Sequence, residues 1–480
     1  MLTYILDPKD KKPLYEQLYL YIKEDISKGF IKKGERLPSK RSIATHHNIS
    51  LITVETAYGQ LEAEGYISSF ERRGYFVSDL DFLIEERPIA SMNEKLVSLD
   101  IEKVSKQDEV HKKEKIQADF VSNAIDIDNF PLSIWTRITR EILSDSQSFR
   151  ETMESVPFQG LYDLRKAICD HLLHFRAIEC NAKNVIIGAG TEYLYNLLIR
   201  YFGKDQVIAL EDPGYEKPYL IYKNNGVRCI HLDVKEDGMD TEALFTSNAS
   251  MVHITPAHHF PTGVVMPINK RIEILRWAEQ NKAYIIEDDY DSEFRMEGKP
   301  IAPLKSIDKD HRVIYMNTFT KTISPAIRVA YMVLPDYLNK DFLAKLSFYS
   351  NTVAVMEQKI LANFILSGHF EKHINRMRTF YKKKRDQLIE VIDKNFKGLD
   401  YEIIEHNSGL HFILGLKTDL EDVDVIARAK NKGLKISAVS SYRHKKKDSS
   451  GEFIINYSGE SLEKAIKGIE VLAGIFKKSL

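Results

Sequence analysis

The sequence predicts an α/β chain led by a small helical domain with a two-stranded wing, and three observations support this. The first eighty residues carry three short helical patterns followed by two strand-like runs. Residues 81–115 are rich in charge and poor in aromatic residues, as a linker is. From about residue 116 short apolar runs alternate with amphipathic helices, the pattern of a largely parallel sheet covered on both faces. At 480 residues the chain exceeds one ordinary core, so more than one domain is expected.

Composition narrows the class. Hydrophobic residues at 43% and charged residues at 29% describe a globular protein. No apolar run approaches the roughly 18 residues of a membrane span. The opening "MLTYILDPKDKK" has no basic segment leading into an apolar stretch, so a cytoplasmic location is expected. Cys169, Cys180 and Cys229 are scattered without CxxC spacing, which suggests a reducing compartment and neither a disulfide framework nor a zinc site. A formal net charge of −1 means that any nucleic-acid binding must rest on local basic residues.

In the first domain, Leu14, Leu18, Ile22 and Ile26, with Tyr21 alongside, make one apolar helical stripe that Gly29 ends. Ser39 is the expected N-cap of a short second helix and Ser50 that of a third, whose Val54, Ala57, Tyr58 and Leu61 share a face until Gly65. "YISSFERRGYFV" then reads as two strands joined by the basic turn Arg72-Arg73-Gly74. Helix, helix-turn-helix and wing form a winged helix-turn-helix, a DNA reader. Ser39, Lys40 and Arg41 at a helix start combine side chains with free N–H groups to hold phosphate. Ser50 and Thr53 on the third helix face the major groove, and Arg72 and Arg73 beside Gly74 suit the minor groove. A solvated basic surface fits the same pattern. "GERLPSKRSIATHHNISLITVETAYGQLEAEGYI" resembles the GntR-family winged helix, which implies double-stranded operator DNA as partner. Where that family often has arginine, this chain has Leu51 and Glu55, so the carried-over contacts rest chiefly on Ser39, Arg41, Thr53 and Gly74.

The second domain, residues 116–480, poses a different question: what Lys321 in "NTFTKTISPAIR" is for. "IIEDDYDSEF" puts Asp288 just past an apolar strand, where α/β sheets build ligand sites and a carboxylate can hold a protonated pyridine nitrogen. Tyr290 is spaced to reach a phenolic oxygen on the same ring. "GAGTEYL" offers Gly190, Thr191 and Glu192 at a helix start, a phosphate cradle that Thr318, Thr320 and Arg328 would complete. Tyr215 in "EDPGY" suits the ring face, and Lys321 would form a Schiff base. Singly, each element also has an ordinary structural reading. Together they resemble the fold-type I aminotransferases that use pyridoxal 5′-phosphate (PLP). That resemblance covers about 116–480, implies a smaller C-terminal α+β subdomain over roughly 370–480, and makes Lys321 the cofactor lysine.

A GntR-type winged helix joined to such a domain resembles the MocR/GabR regulators, as do "IIEDDYDSEF", "HHFPTGVVMP" and "SGLHF". The resemblance implies a head-to-tail homodimer that binds DNA and a small-molecule effector, either PLP itself or an amino compound. The residue before "PTG", usually an asparagine in transaminases, is Phe260, preceded by His258 and His259. With Lys217, these histidines are the candidate effector contacts. The position matching the usual substrate-clamping arginine is Gly459, and the arginine of GABA sensors after "EDPGY" is Lys217, which lacks the bidentate fork. Arg443 in "SSYRHKKK" is a possible substitute, or part of a solvated loop. The missing clamp points to sensing rather than turnover, with PLP controlling vitamin B6 synthesis as one reading. An active aminotransferase with an accessory DNA-binding module is the alternative, and a large domain that only dimerises is a third.

Overall fold

The computed structural model describes residues 2–8, 10, 12–70, 73–78, 116–122, 125–296, 301–404, 407–445 and 448–477. The expected linker, 81–115, and Arg72 lie outside them. The chain divides into two compact units, 1–112 and 113–480. Among the described residues no helix is long and apolar enough to cross a membrane.

The first unit has helices Leu14–Ser27, Lys40–His47 and Leu51–Ala63, then antiparallel strands β1 (Ile67–Phe70) and β2 (Gly74–Val77). Ser39 and Ser50 cap as expected, accepting from the backbone N–H of Ser42 and Thr53. Leu18, Ile22 and Ile26 meet Val54, Tyr58 and Leu61 in one core. Tyr19, not Tyr21, joins the buried side. The Tyr21 ring is exposed and stacks on Tyr4. The wing gains a third member that the sequence did not reveal. Residues 34–37 run beside β2, with Leu37 N–H donating to Tyr75 O and Val77 N–H to Glu35 O.

The second unit is built on an eight-stranded sheet. Its strands are β4 (Val185–Gly188), β5 (Val207–Asp212), β6 (Arg228–Lys235), β7 (Gly238–Met239), β8 (Met251–Ile254), β9 (Tyr284–Asp288), β10 (Val313–Thr318) and β11 (Ala330–Val333), in the order β4-β11-β10-β9-β8-β5-β6-β7; β3 (Ala118–Asp119) lies apart. β10, β9, β8, β5 and β6 are mutually parallel; β11 runs against both its neighbours and β7 against β6. Parallel strands with helices on both faces bury both sides, which is why β10 reads VIYMNT with every residue buried. Each fully buried large apolar side chain here contributes roughly 1.5–3 kcal/mol.

The smaller subdomain holds β12 (Tyr401–Ile404), β13 (His411–Leu416), β14 (Leu434–Lys435), β15 (Ser437–Ala438) and β16 (Glu452–Asn456), with antiparallel order β12-β13-β16-β15. Helices His369–Asn395 and Leu462–Phe476 cover it. The segment that follows the linker threads into this subdomain, since β3 pairs in parallel with β14. Phe120 packs so tightly on Gly468 that a Cβ there would stand 2.7 Å from the ring. Cys169 and Cys180, free thiols that spacing did not associate, bring their Sγ atoms to 2.9 Å.

A buried ion pair anchors the sheet below the site. Arg176 ends helix Tyr162–Arg176 and its Nη2 lies 2.5 Å from Asp289 Oδ2, both side chains almost fully buried. Tyr315 donates to the same oxygen at 2.6 Å, and Asn317 donates to Tyr315 and to Glu293. Arg176→Met leaves that carboxylate buried and unpaired and should cost about 3–5 kcal/mol. Thermal and urea unfolding should show a large loss, partly recovered in Arg176→Met/Asp289→Asn.

Candidate functional site

The C-terminal ends of β4, β5, β8, β9 and β10 open into one cavity of about 520 Å³. The chain places its chemistry there because each parallel strand delivers its last side chains to the same edge. Gly190, Thr191, Glu192, Tyr215, Lys217, Asp288, Tyr290, Thr318, Thr320, Lys321 and Arg328 all line it. His258 and His259 do not. They are buried behind the wall, His258 Nδ1 against Asp291 at 3.0 Å and His259 Nδ1 with Thr262 Oγ1 at 2.7 Å. Burial and the neighbouring His258 push His259 down to about 3, so it stays neutral. Their adjacency to Phe260 suggested a pocket role, but Phe260 takes the lining position and the histidines turn inward. Arg443 is not among the lining residues; its neighbour Tyr442 accepts from Gly214 N–H. Gly459 is not among them either.

One end of the cavity suits an anion. Gly190, at φ +93, opens the helix Thr191–Phe202, and a Cβ there would stand 2.5 Å from Arg328 Nη2. Only glycine permits both the backbone angle and the approach. Thr318 and Thr320 hydroxyls sit 2.8 Å apart beside it. Arg328 Nη2 donates to Glu192 Oε2 and Lys217 Nζ to Glu192 Oε1, both at 2.7 Å. The Lys217 hydrogen bond, followed by the charges of Lys217 and Arg328, keeps Glu192 ionised below the usual carboxylate range.

The other end suits a protonated ring nitrogen. Tyr195 donates to Asp288 Oδ2 at 2.5 Å, and His253, held by Tyr222, stands 3.8 Å from the same oxygen. Asp288 Oδ1 is buried and accepts no hydrogen bond. A carboxylate oxygen left this way faces a strong penalty unless a donor arrives, which is what a pyridinium N–H provides. Lys321 lines the same cavity. Burial pulls its pKa from 10.5 down to about 8, against the charge of Asp291. Phosphate cradle, open carboxylate and amine together fit PLP.

Sequence reasoning missed several lining residues: Tyr195, His253, Glu211, Thr255 and Ser122. Burial raises Glu211 to about 7, opposed by two hydrogen bonds from Thr255. Tyr195 sits one helical turn after Thr191 (i+4), and this spacing was the one available signal for any of them. Ser122 arrives through the β3 pairing, which no local pattern announces.

In the first unit, the caps occupy Ser39 and Ser50, and Thr53 shares its hydroxyl with Ser50 at 2.8 Å. Lys40 Nζ lies 2.9 Å from Glu55, so this cation is already paired. Arg41 is exposed at the second helix's start, and Arg73 lies over the Phe76 ring. Gly74, at φ +99, abuts the Arg36 side chain, an additional basic group at the wing.

Residues 115–468 match the family described as aminotransferase class I and II, and residues 14–77 match the bacterial regulatory proteins of the gntR family. The chain is 38% identical over 435 residues, 90% of both chains, to the uncharacterized HTH-type transcriptional regulator YdeL of Bacillus subtilis (strain 168). It is 28% identical over 445 residues, 91% of this chain and 90% of the other, to the HTH-type pyridoxine biosynthesis transcriptional regulator PdxR of Corynebacterium glutamicum. Among solved structures, an archaeal alanine:glyoxylate aminotransferase aligns with TM-score 0.69 at 21% identity over 80% of this chain and 96% of its own, a likeness of fold.

Two outcomes are expected of the site. With its pKa near 8, Lys321 should be about one-tenth free amine at pH 7, against roughly one part in three thousand for an ordinary lysine. Its labelling by an amine reagent, followed by mass spectrometry, should therefore rise through pH 8 and level off above it. Glu192→Gln removes the carboxylate that holds Arg328 and Lys217, so PLP should bind about tenfold tighter by absorbance titration.

Proposed function

The chain belongs to the MocR-type transcriptional regulators, a gntR-family DNA-binding domain followed by an aminotransferase class I and II domain, and on that premise we propose that PLP itself is the signal it senses. In this reading residues 1–80 read operator DNA, 81–115 link, and 116–480 bind the ligand and dimerise. The carrying observation is the cation inventory of the cavity. Among the described residues only Lys217, Lys321 and Arg328 line it as cations. Lys321 and Arg328 would serve the aldehyde and the phosphate, and Lys217, like Arg328, is paired with Glu192. Among the described residues lining the cavity, no further guanidinium remains to clamp an amino-acid carboxylate. The relative named as a pyridoxine biosynthesis regulator supports the same signal.

When bound, PLP supplies an electrophilic aldehyde carbon and an electron-withdrawing ring. The protein's own groups divide the remaining work. Asp288 would accept from the ring N–H, and Tyr195 holds its other oxygen in place. Arg328, Thr318, Thr320 and the N–H at Thr191 would hold the phosphate, with Glu192 giving up Arg328 to it. Tyr290 would meet the phenolic oxygen, Tyr215 would cover the ring, and Phe260 and Pro218 would exclude water. Ligand capture at Lys321 is coupled to DNA through the two domains of a head-to-tail homodimer, whose paired readers would favour a two-part operator and salt-sensitive binding.

Absorbance of the full-length chain with added PLP, beside Lys321→Ala, and operator titration in both states test this. The expected result is a visible band that requires Lys321, with operator affinity or footprint altered by PLP alone. Equal affinity and footprint with and without PLP would overturn the proposal. Sustained turnover with a common amino donor would favour the aminotransferase alternative.

A further inference from the structure

The three cysteines look unrelated along the sequence, yet the fold brings two of them together outside the cavity. Cys169 sits in the helix Tyr162–Arg176, and Cys180 lies just past its end. Ala177 closes that helix in the left-handed region, at φ +53, and Ile178 N–H donates to Leu172 O. The chain thereby doubles back along its own helix, and Cys180 Sγ comes to rest 2.9 Å from Cys169 Sγ. Both are free thiols; Cys169 is buried and Cys180 half-buried, so the pair opens to solvent on the Cys180 side. Arg165 fixes the two arms relative to each other. It lies one turn before Cys169 on the same helix face. Its guanidinium donates to Gly160 O at 3.1 Å and to Ala182 O, just beyond Cys180, at 2.6 Å. The third thiol, Cys229 on β6, contacts Val227 O at 3.8 Å and belongs to neither arm.

We propose that Cys169 and Cys180 are an oxidation site: a hydroperoxide converts them to a reversible disulfide that clamps the end of the helix carrying Arg176. The resting geometry is already close to the product, since an S–S bond measures about 2.05 Å and the sulfurs need approach by only about 1 Å. The atoms balance in two steps. The Cys180 sulfur attacks one peroxide oxygen; an S–O bond forms, the O–O bond breaks, and the other oxygen leaves as water or an alcohol with the thiol proton. The Cys169 sulfur then displaces the oxygen on Cys180; an S–S bond forms, the S–O bond breaks, and water leaves with the second thiol proton. The sulfurs give up two electrons and the peroxide takes them. In a reducing compartment such a bond is transient, because thiols reverse it. The loop it closes contains Arg176, whose Nη2 holds Asp289 at 2.5 Å beneath the cavity. Oxidation therefore stiffens the mount of that ion pair without touching a lining residue. It needs no ligand in the cavity and stands whether or not PLP is the signal.

Full-length protein, fully reduced and then treated with graded hydrogen peroxide, provides the test. After quenching, denaturation and alkylation, mass spectrometry should find a peptide linking Cys169 to Cys180, with Cys229 left as the free thiol. Dithiothreitol should undo the link. Because the second thiol is already in contact, linkage should outpace modification of Cys229 by about tenfold or more. Closing so short a loop should also raise the thermal midpoint by about 4 °C. That rise should vanish in Cys180→Ser, with Cys180→Ala in its place if the serine variant does not fold. Three results would overturn the inference. One is Cys169 and Cys180 both still open to alkylation once Cys229 is oxidised. Another is a disulfide between two chains in place of the internal link. The last is a linked pair whose thermal transition is unshifted.

Discussion

Four carboxylates leave the end of a single strand within the stretch 287–291, and nearly all of them are buried. Charges packed this densely in a low-dielectric interior repel strongly, so the fold gives each one a different partner. Glu287 accepts the backbone N–H groups of Leu304 and Lys305, and burial still raises it to about 7. Asp289 turns down to Arg176, and Asp291 turns sideways to His258. Asp288, which lines the cavity, gives one oxygen to Tyr195 and keeps the other buried without a hydrogen-bond partner. The helix that ends in Arg176, the loop after β8 and the glycine before β13 are placed as they are because each answers one of these charges.

The same constraint explains how far the sequence could be read. Strand and helix alternation, the caps at Ser39 and Ser50 and the glycine turn at Gly190 are local events, decided by residues within a few positions of one another. They were legible for that reason. Lys321, Asp288, Tyr290 and Arg328 were legible for a second reason: parallel strands all deliver their ends to one edge, so order along the chain foretells meeting in space. The antiparallel β11, the third member of the wing and the pairing of β3 with β14 depend on partners tens to hundreds of residues away, and nothing local encodes them.

His258 and His259 show the limit most clearly. Beside Phe260, two histidines in a loop at a strand end look like ligand contacts, and which of three adjacent side chains faces the cavity is decided by what lies behind. Asp291 and Gly409 settle it, one by attraction and one by leaving space. Lys40 is a milder case in the other unit. Its charge suggested phosphate, and in the structure Glu55 pairs with it. The substitution that casts doubt on base recognition also removes a cation from the surface.

The entry of the chain into its second unit deserves a last reading. Residues 118–119 form a strand with β14, Phe120 fills a hollow that only Gly468 leaves open, and Ser122 reaches the cavity wall. The stretch that leads out of the DNA-reading domain is thus part of the ligand chamber before the large sheet has begun. A fragment trimmed to start at the first strand of that sheet would lose a piece of the cavity wall and a seam of the subdomain core. The second compact unit begins at residue 113, inside what composition alone marks as spacer.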